Sequence, residues 1–266
     1  MKPGLAELGA DLLTTGRWRR IVALSRPFVG LAGYVLVCFA ASRWPWLWLL
    51  APVIVFGIFV AVVTVTHDVV HRAIGLGTRS TEAALFCFGL VLLESGHAYR
   101  ASHLQHHRRF PHDDDPEGYP ARISAVAAVF YGPVFLARLW WWAFHSARKD
   151  RGWLLAEAAA LPVAVVAGIL LWPHTPAVLA YVVMAVVGSW VYPLLTVHLP
   201  HDQHGDSALT QTRTLRGRIV PAVFLELTYH LEHHLYPQVP SHHLAELGRR
   251  LDPFFAANGV RPRRVP

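Results

Sequence analysis

The sequence predicts an all-α integral membrane protein, with four transmembrane helices and a cytoplasmic histidine-rich helical cap, organised as a single domain over residues 1–266. Three observations predict it. Hydrophobic residues make up 54% of the chain and charged ones 15%, well below the quarter typical of soluble domains. Apolar runs long enough to cross a bilayer recur along the chain. Once four spans are drawn, 23 of the 24 lysines and arginines fall on one side, which the positive-inside rule makes cytoplasmic.

From the N-terminus, Met1 to Arg20 contains Glu7, Asp11 and no long apolar run, so a signal peptide is not expected. The first span, Phe28–Ala41, is short and can extend into Ile21–Leu24; the second is Trp46–Thr66. Ala83–Leu93 is apolar but too short to cross and reads as a re-entrant or interfacial helix. Pro111 to Pro120, with Asp113, Asp114 and Asp115, reads as a loop. Ile123–Phe144 carries Trp140, Trp141 and Trp142, the aromatic belt of a helix lying at the interface. The third and fourth spans, Trp153–Trp172 and Ala177–Val197, form a hairpin through Trp172-Pro-His-Thr-Pro176. Glu157 sits about one turn from Trp153 and is expected to snorkel to the surface. Ile219–Leu227 is a further short apolar segment. Cys38 and Cys87 read as small buried hydrophobes rather than a disulfide. Both termini are expected in the cytoplasm, with the chain in the plasma (inner) membrane. The net charge of +7 then serves contact with anionic headgroups rather than nucleic acid. Arg249, Arg250, Arg261, Arg263 and Arg264 read as a solvated, headgroup-facing tail; the other reading is a docking face for an acidic electron donor.

Three histidine motifs carry the chemistry: His67-Asp-Val-Val-His71, His103-Leu-Gln-His106-His107 and His230-Leu-Glu-His233-His234. Residues three and four apart share a helix face, so each motif presents its imidazoles together. Neutral imidazoles converging from several segments make a transition-metal site, and an all-nitrogen set suits iron, zinc, copper or nickel. With 17 histidines in 266 residues, one HxxHH pattern arises by accident in about 0.07 of such chains, so two copies plus HxxxH exclude coincidence as the explanation. Asp68, Asp113, Asp114, Asp202 and Glu232 are candidate partners for the second ring nitrogens of these histidines. Glu94-Ser-Gly-His97 matches one half of a di-iron carboxylate pattern, and a single copy reads as accident; His97 lining the mouth of the active site is the alternative. His112, His145, His174, His242 and His243 read as ordinary loop or interfacial histidines. A transporter or metal sensor is the non-catalytic alternative, but its midplane site would not sit outside the spans, where all three motifs fall.

HxxxH, HxxHH and HxxHH in that order, on a four-span chain, resemble the membrane fatty acid desaturase superfamily: acyl desaturases, hydroxylases and carotenoid ketolases. Thr66-His-Asp-Val-Val-His71, His103 to Glu117 and Tyr229 to Pro240 carry the resemblance. It implies two iron ions held by His67, His71, His103, His106, His107, His230, His233 and His234, and dioxygen as co-substrate. It also implies a further ligand before the third motif, where His198, His201 and His204 are available. The Leu-Pro-His form resembles the ketolases and favours His201; the end of the last span favours His198. No His-Pro-Gly-Gly haem motif is fused to the chain, so electrons are expected from a separate ferredoxin- or cytochrome-type protein. A fatty acyl chain is the default lipid substrate, and a carotenoid is the alternative favoured by chain length.

Overall fold

A computed structural model describes residues 2–266. Its main helices are α1 (Arg17–Ala41), α2 (Ala51–Val70), α3 (Thr78–Leu92), α4 (Gly96–Arg109), α5 (Ala125–Ser146), α6 (Arg151–Ala158), α7 (Ala160–Leu171), α8 (Ala177–Ser189), α9 (His230–Leu235) and α10 (Leu244–Ala257). Among the described residues the only sheet is a parallel pairing of β1 (Leu215–Arg216) with β2 (Arg263–Arg264), in the register Leu215 to Arg263 and Arg216 to Arg264.

Five stretches are long and apolar enough to cross a membrane: Ala10–Ala41, Pro45–Val70, Ala125–Ser146, Arg148–Leu171 and Ala177–His201. Their outer faces leave large apolar side chains uncovered, with Phe39 and Phe130 each 80% exposed. Water would not tolerate such a surface at this density; lipid does. Four stretches match the expected spans, the first beginning well before Phe28. The additional one is the segment that the three tryptophans had placed at the interface, and it is the least apolar of the five.

α2 is the central element. Val55, Ile58, Val62, Val65 and Val69 are buried along it, and it packs against α1, α3 and α8. Two glycines permit close crossings nearby. A Cβ on Gly132 would fall 2.1 Å from the Trp190 carbonyl oxygen, and one on Gly96 would fall 2.4 Å from that of Leu85. Small residues therefore let α5 meet the end of α8, and α4 meet α3, backbone to backbone.

Three expectations change in the packed molecule. Glu157 does not snorkel: its side chain is 0% exposed, because α6 packs against α3 and α4 and turns that face inward. Cys87 is exposed on the outside of α3 rather than buried, and both cysteines are free thiols. The arginine-rich C-terminus is not a loose tail. α10 buries Leu244, Leu247, Leu251 and Phe255 against Leu12 and Tyr236, and Arg250 bonds the Leu8 carbonyl, Asp11 and Glu246. Arg249 also pairs with Glu246, while Arg261, Arg263 and Arg264 stay exposed.

Candidate metal centre

Four separate segments deliver imidazoles to one place. The last turn of α2 brings His67, and His71 caps it. α4 brings His103, His106 and His107 in its last two turns, and α9 brings His230, His233 and His234. The fourth segment is Pro193–His198, a π-helical turn running into Leu199–His201. Such turns insert extra backbone and rotate the residues beyond them. Close in sequence, His198 and His201 nevertheless part: His198 Nδ1 donates to the Pro120 carbonyl at 3.0 Å, whereas His201 joins the cluster. His204 stays outside, its Nδ1 donating to the His201 carbonyl at 3.1 Å.

The imidazoles form two groups, His67, His71, His103 and His233 in one and His106, His201, His230 and His234 in the other, with the nitrogens of each group within 4.8 Å of one another. His107 adjoins the first, its Nε2 2.9 Å from His233 Nε2 and 3.2 Å from His103 Nε2. The two groups stand side by side, the His107 and His234 rings 4.4 Å apart. Each HxxHH motif is thus divided: the first and last histidines face one group and the middle one the other. Helix geometry requires this, because consecutive residues such as His106 and His107 point about 100° apart.

The donor set fits metal ions. His103 Nδ1 donates to Glu117 at 3.2 Å, His106 Nδ1 to Asp115 at 2.6 Å and His201 Nδ1 to the Gln211 carbonyl at 2.9 Å. Those bonds leave the lone pair on each Nε2. Yet Nε2 atoms face one another at 3.2 Å between His106 and His201, 3.0 Å between His201 and His230, and 2.9 Å between His67 and His233. For His106 and His201, whose Nδ1 protons are both committed, lone pairs face each other at that distance and call for a cation between them. Two nitrogens bound to one metal at ~2.1 Å and near a right angle lie about 3 Å apart, which matches. His71 Nε2 is buried with no hydrogen-bond partner, another donor awaiting an acceptor.

Electrostatics agree. Burial, and after it the neighbouring rings, holds His71, His103, His107, His230, His233 and His234 well below the ordinary histidine range. They are neutral at pH 7, the state a metal requires. His106 is the exception: burial lowers it, but the hydrogen bond and charge of Asp115 outweigh that and raise it.

Asp115 and Glu117 are the carboxylates that reach the histidine rings, and the sequence reading did not single them out. Asp113, two positions away, pairs instead with Arg122 and its side chain is 99% exposed. Asp114 pairs with Arg109, and Asp202 lies 3.6 Å from Arg213. Glu232 faces Thr214 and Arg216. Asp68 bonds the Ser241 backbone and hydroxyl and approaches His67 Nδ1 only to 3.7 Å. The signal that could have singled out Asp115 and Glu117 is the loop itself: Pro111 and Pro120 bound a turn short enough to fold back on α4, and its inner residues are the later ones. His97 lines no mouth; it is buried between Glu82 and Glu157. His112, His145, His174, His242 and His243 belong to neither histidine group.

An apolar cavity reaches the centre, walled by Phe59, Val63, Leu199 and Phe224, with His67 and His103 from one group and His106 and His230 from the other in its lining.

The fatty acid desaturase family model matches residues 42–266. Two curated relatives are beta-carotene ketolases of Paracoccus sp. That of strain N81106 / MBIC 01143 is 31% identical over 199 residues, 66% of this chain and 69% of the relative. That of strain PC1 is 28% identical over 236 residues, 80% of this chain and 88% of the relative. The match extends over the segments that bring His67 to His107, His201 and His230 to His234 together, and the chain belongs to the fatty acid desaturase family.

Proposed function

We propose that this protein is a dioxygen-dependent di-iron oxidase of a long apolar lipid, and that it oxygenates a ring methylene of a carotenoid. The observation that carries the reading is one apolar cavity touching histidines of both groups. His67, His71, His103, His107 and His233 would hold one iron and His106, His201, His230 and His234 the other. Iron bound there supplies the oxidant that an unactivated C–H bond needs, which redox-silent zinc would not. The protein's own residues do the rest. Phe59, Val63, Leu199 and Phe224 bind the chain and exclude water from the reacting carbon. Glu117 and Asp115 fix the tilt of His103 and His106 through their Nδ1 protons. Each oxygenation consumes one dioxygen, two protons and two electrons and releases one water; the electrons come from a separate ferredoxin- or cytochrome-type protein.

The relatives' names favour the carotenoid, and the family's description favours an acyl chain as a second reading. The test is expression in cells that make β-carotene, followed by pigment and acyl-chain profiling and by iron analysis of the purified protein. Keto-carotenoids and close to two irons per chain are expected. New acyl double bonds would move the assignment to the second reading, and an unchanged profile of both would refute the oxidase.

Topology is part of the proposal. His106 and His201 nitrogens lie 3.2 Å apart, so an even number of the three candidate spans between them cross the membrane. Ala125–Ser146 is the least apolar of these and lies along the surface instead. The chain then crosses four times, with both termini and a histidine-rich cap in the cytoplasm beneath the plasma membrane, as the basic residues require. A reporter fused after Pro266 should be active only on the cytoplasmic side. Activity confined to the outside would overturn the arrangement.

A further inference from the structure

Beside the histidine groups runs a second buried polar chain that holds neither metal nor substrate. It begins at Glu82, whose side chain is 25% exposed. Glu82 Oε2 lies 2.9 Å from His97 Nε2, and His97 Nδ1 lies 2.7 Å from Glu157 Oε1. The Ser95 hydroxyl donates to Glu157 Oε2. His97 is completely buried and stacks on Trp153 at 5.0 Å with the rings 4° from parallel. An imidazole with a carboxylate at each nitrogen can take a proton on one side and release it on the other. Burying this many ionisable groups for rigidity alone is a poor use of them, since apolar packing stabilises as well or better.

Glu94 extends the chain inward. It comes after Leu93, held in the left-handed backbone region at φ 60 and ψ 35, a conformation that costs energy for a residue with a side chain. Glu94 Oε1 is buried and without a hydrogen-bond partner. The carboxyl lines a small cavity together with Ser95, Thr66, Tyr99 and Tyr192. Most of its wall is apolar (Val62, Val63, Phe88, Leu92, Leu136 and Leu139 among it), so Glu94, Ser95, Thr66 and the two tyrosines are the groups that would hold a water there. Tyr99 and Tyr192 also line the substrate cavity, where Glu117 stands, 3.2 Å from His103 Nδ1. Hydrogen-bonded polar groups therefore run inward from the surface to Ser95, and Glu94 lies next to it on the cavity that shares Tyr99 and Tyr192 with the substrate cavity.

We propose that Glu82, His97, Glu157, Ser95 and Glu94 form a proton-delivery route, ending at Glu94 on the Tyr99–Tyr192 wall of the substrate cavity. The role rests on the oxidase reading, in which each turnover takes up two protons inside a cavity built to exclude water. Protons move from solvent to Glu82, through the two nitrogens of His97 to Glu157, and by way of Ser95 and cavity water to Glu94. Burial pushes the Glu94 carboxyl up to about 8, so it stands loaded at neutral pH.

The test uses the full chain in nanodiscs. Infrared difference spectra of wild type against Glu94→Gln identify the band of the protonated Glu94 carboxyl, and transfer to heavy water times its exchange. Glu157→Gln and Glu82→Gln should each slow that exchange at least tenfold. Glu82 is partly exposed, so its variant keeps the comparison available should Glu157→Gln not fold. Exchange at the wild-type rate in both folded variants, or in Glu82→Gln alone if the other is lost, would overturn the route. In the iron-loaded enzyme, Glu94→Gln should lower turnover at least tenfold with iron content unchanged, and Glu94→Asp should restore part of it. Full turnover in Glu94→Gln would also overturn the proposal. A wild type that oxidises no lipid would refute the oxidase, while the exchange rates would still decide whether the route exists.

Discussion

His201→Ala is expected to abolish turnover and to strip metal from the second histidine group, while His198→Ala keeps most of both. His201 Nε2 lies 3.2 Å from that of His106 and 3.0 Å from that of His230, so it sits at the middle of its group. The ring is completely buried, packed against Phe110 at 4.2 Å between centroids, and held by the Gln211 carbonyl. Removing it leaves three nitrogens and a hole. The loss of metal affinity should exceed the roughly 100-fold that losing an outer partner of a ligand reaches. His198→Ala removes one hydrogen bond to Pro120, a stability cost of about 1–3 kcal/mol for the carbonyl left unpaired. Iron content and turnover of the two variants, measured side by side, check the assignment. Full iron in His201→Ala would refute it.

Asp115→Asn should weaken metal binding by about 10- to 100-fold, where Asp113→Asn changes nothing. Asp115 Oδ2 takes the His106 Nδ1 proton at 2.6 Å, and Oδ1 takes the Glu117 backbone proton at 2.9 Å. One carboxylate thus orients His106 directly and sets the loop that brings Glu117 to His103. Its charge also makes His106 more basic than burial alone would allow, and an amide of the same shape removes that charge. Competition with a graded chelator series measures the difference. Equal retention in Asp115→Asn and wild type would show that the loop, not the charge, orients the ring.

Spacing along the chain determined much of the histidine cluster. The HxxxH and HxxHH motifs are local patterns, and helix periodicity alone presents each set of rings together. Four of the five candidate spans were legible as apolar runs, because lipid selects on composition over a fixed length. The desaturase relationship was legible for the same reason, being written in short motifs.

Other features depended on which segments meet. Sequence distance made Asp113 and Asp114 as plausible as Asp115; only the path of the loop back over α4 separates the one that reaches His106 from the two that face water. The Leu-Pro-His form favoured His201 and the end of the last span favoured His198; only the packed chain turns His198 to the Pro120 carbonyl and His201 to His106. Glu157 looked like a surface residue one turn from Trp153, and packing of α6 against α3 and α4 buried it beside His97. The sequence by itself determined which side chains have the chemistry and which lengths of chain prefer lipid, because both are properties of a residue and its near neighbours. The tertiary structure decided which nitrogen shares a group with which, and which carboxylate lies behind it, because those depend on contacts between segments far apart in the chain.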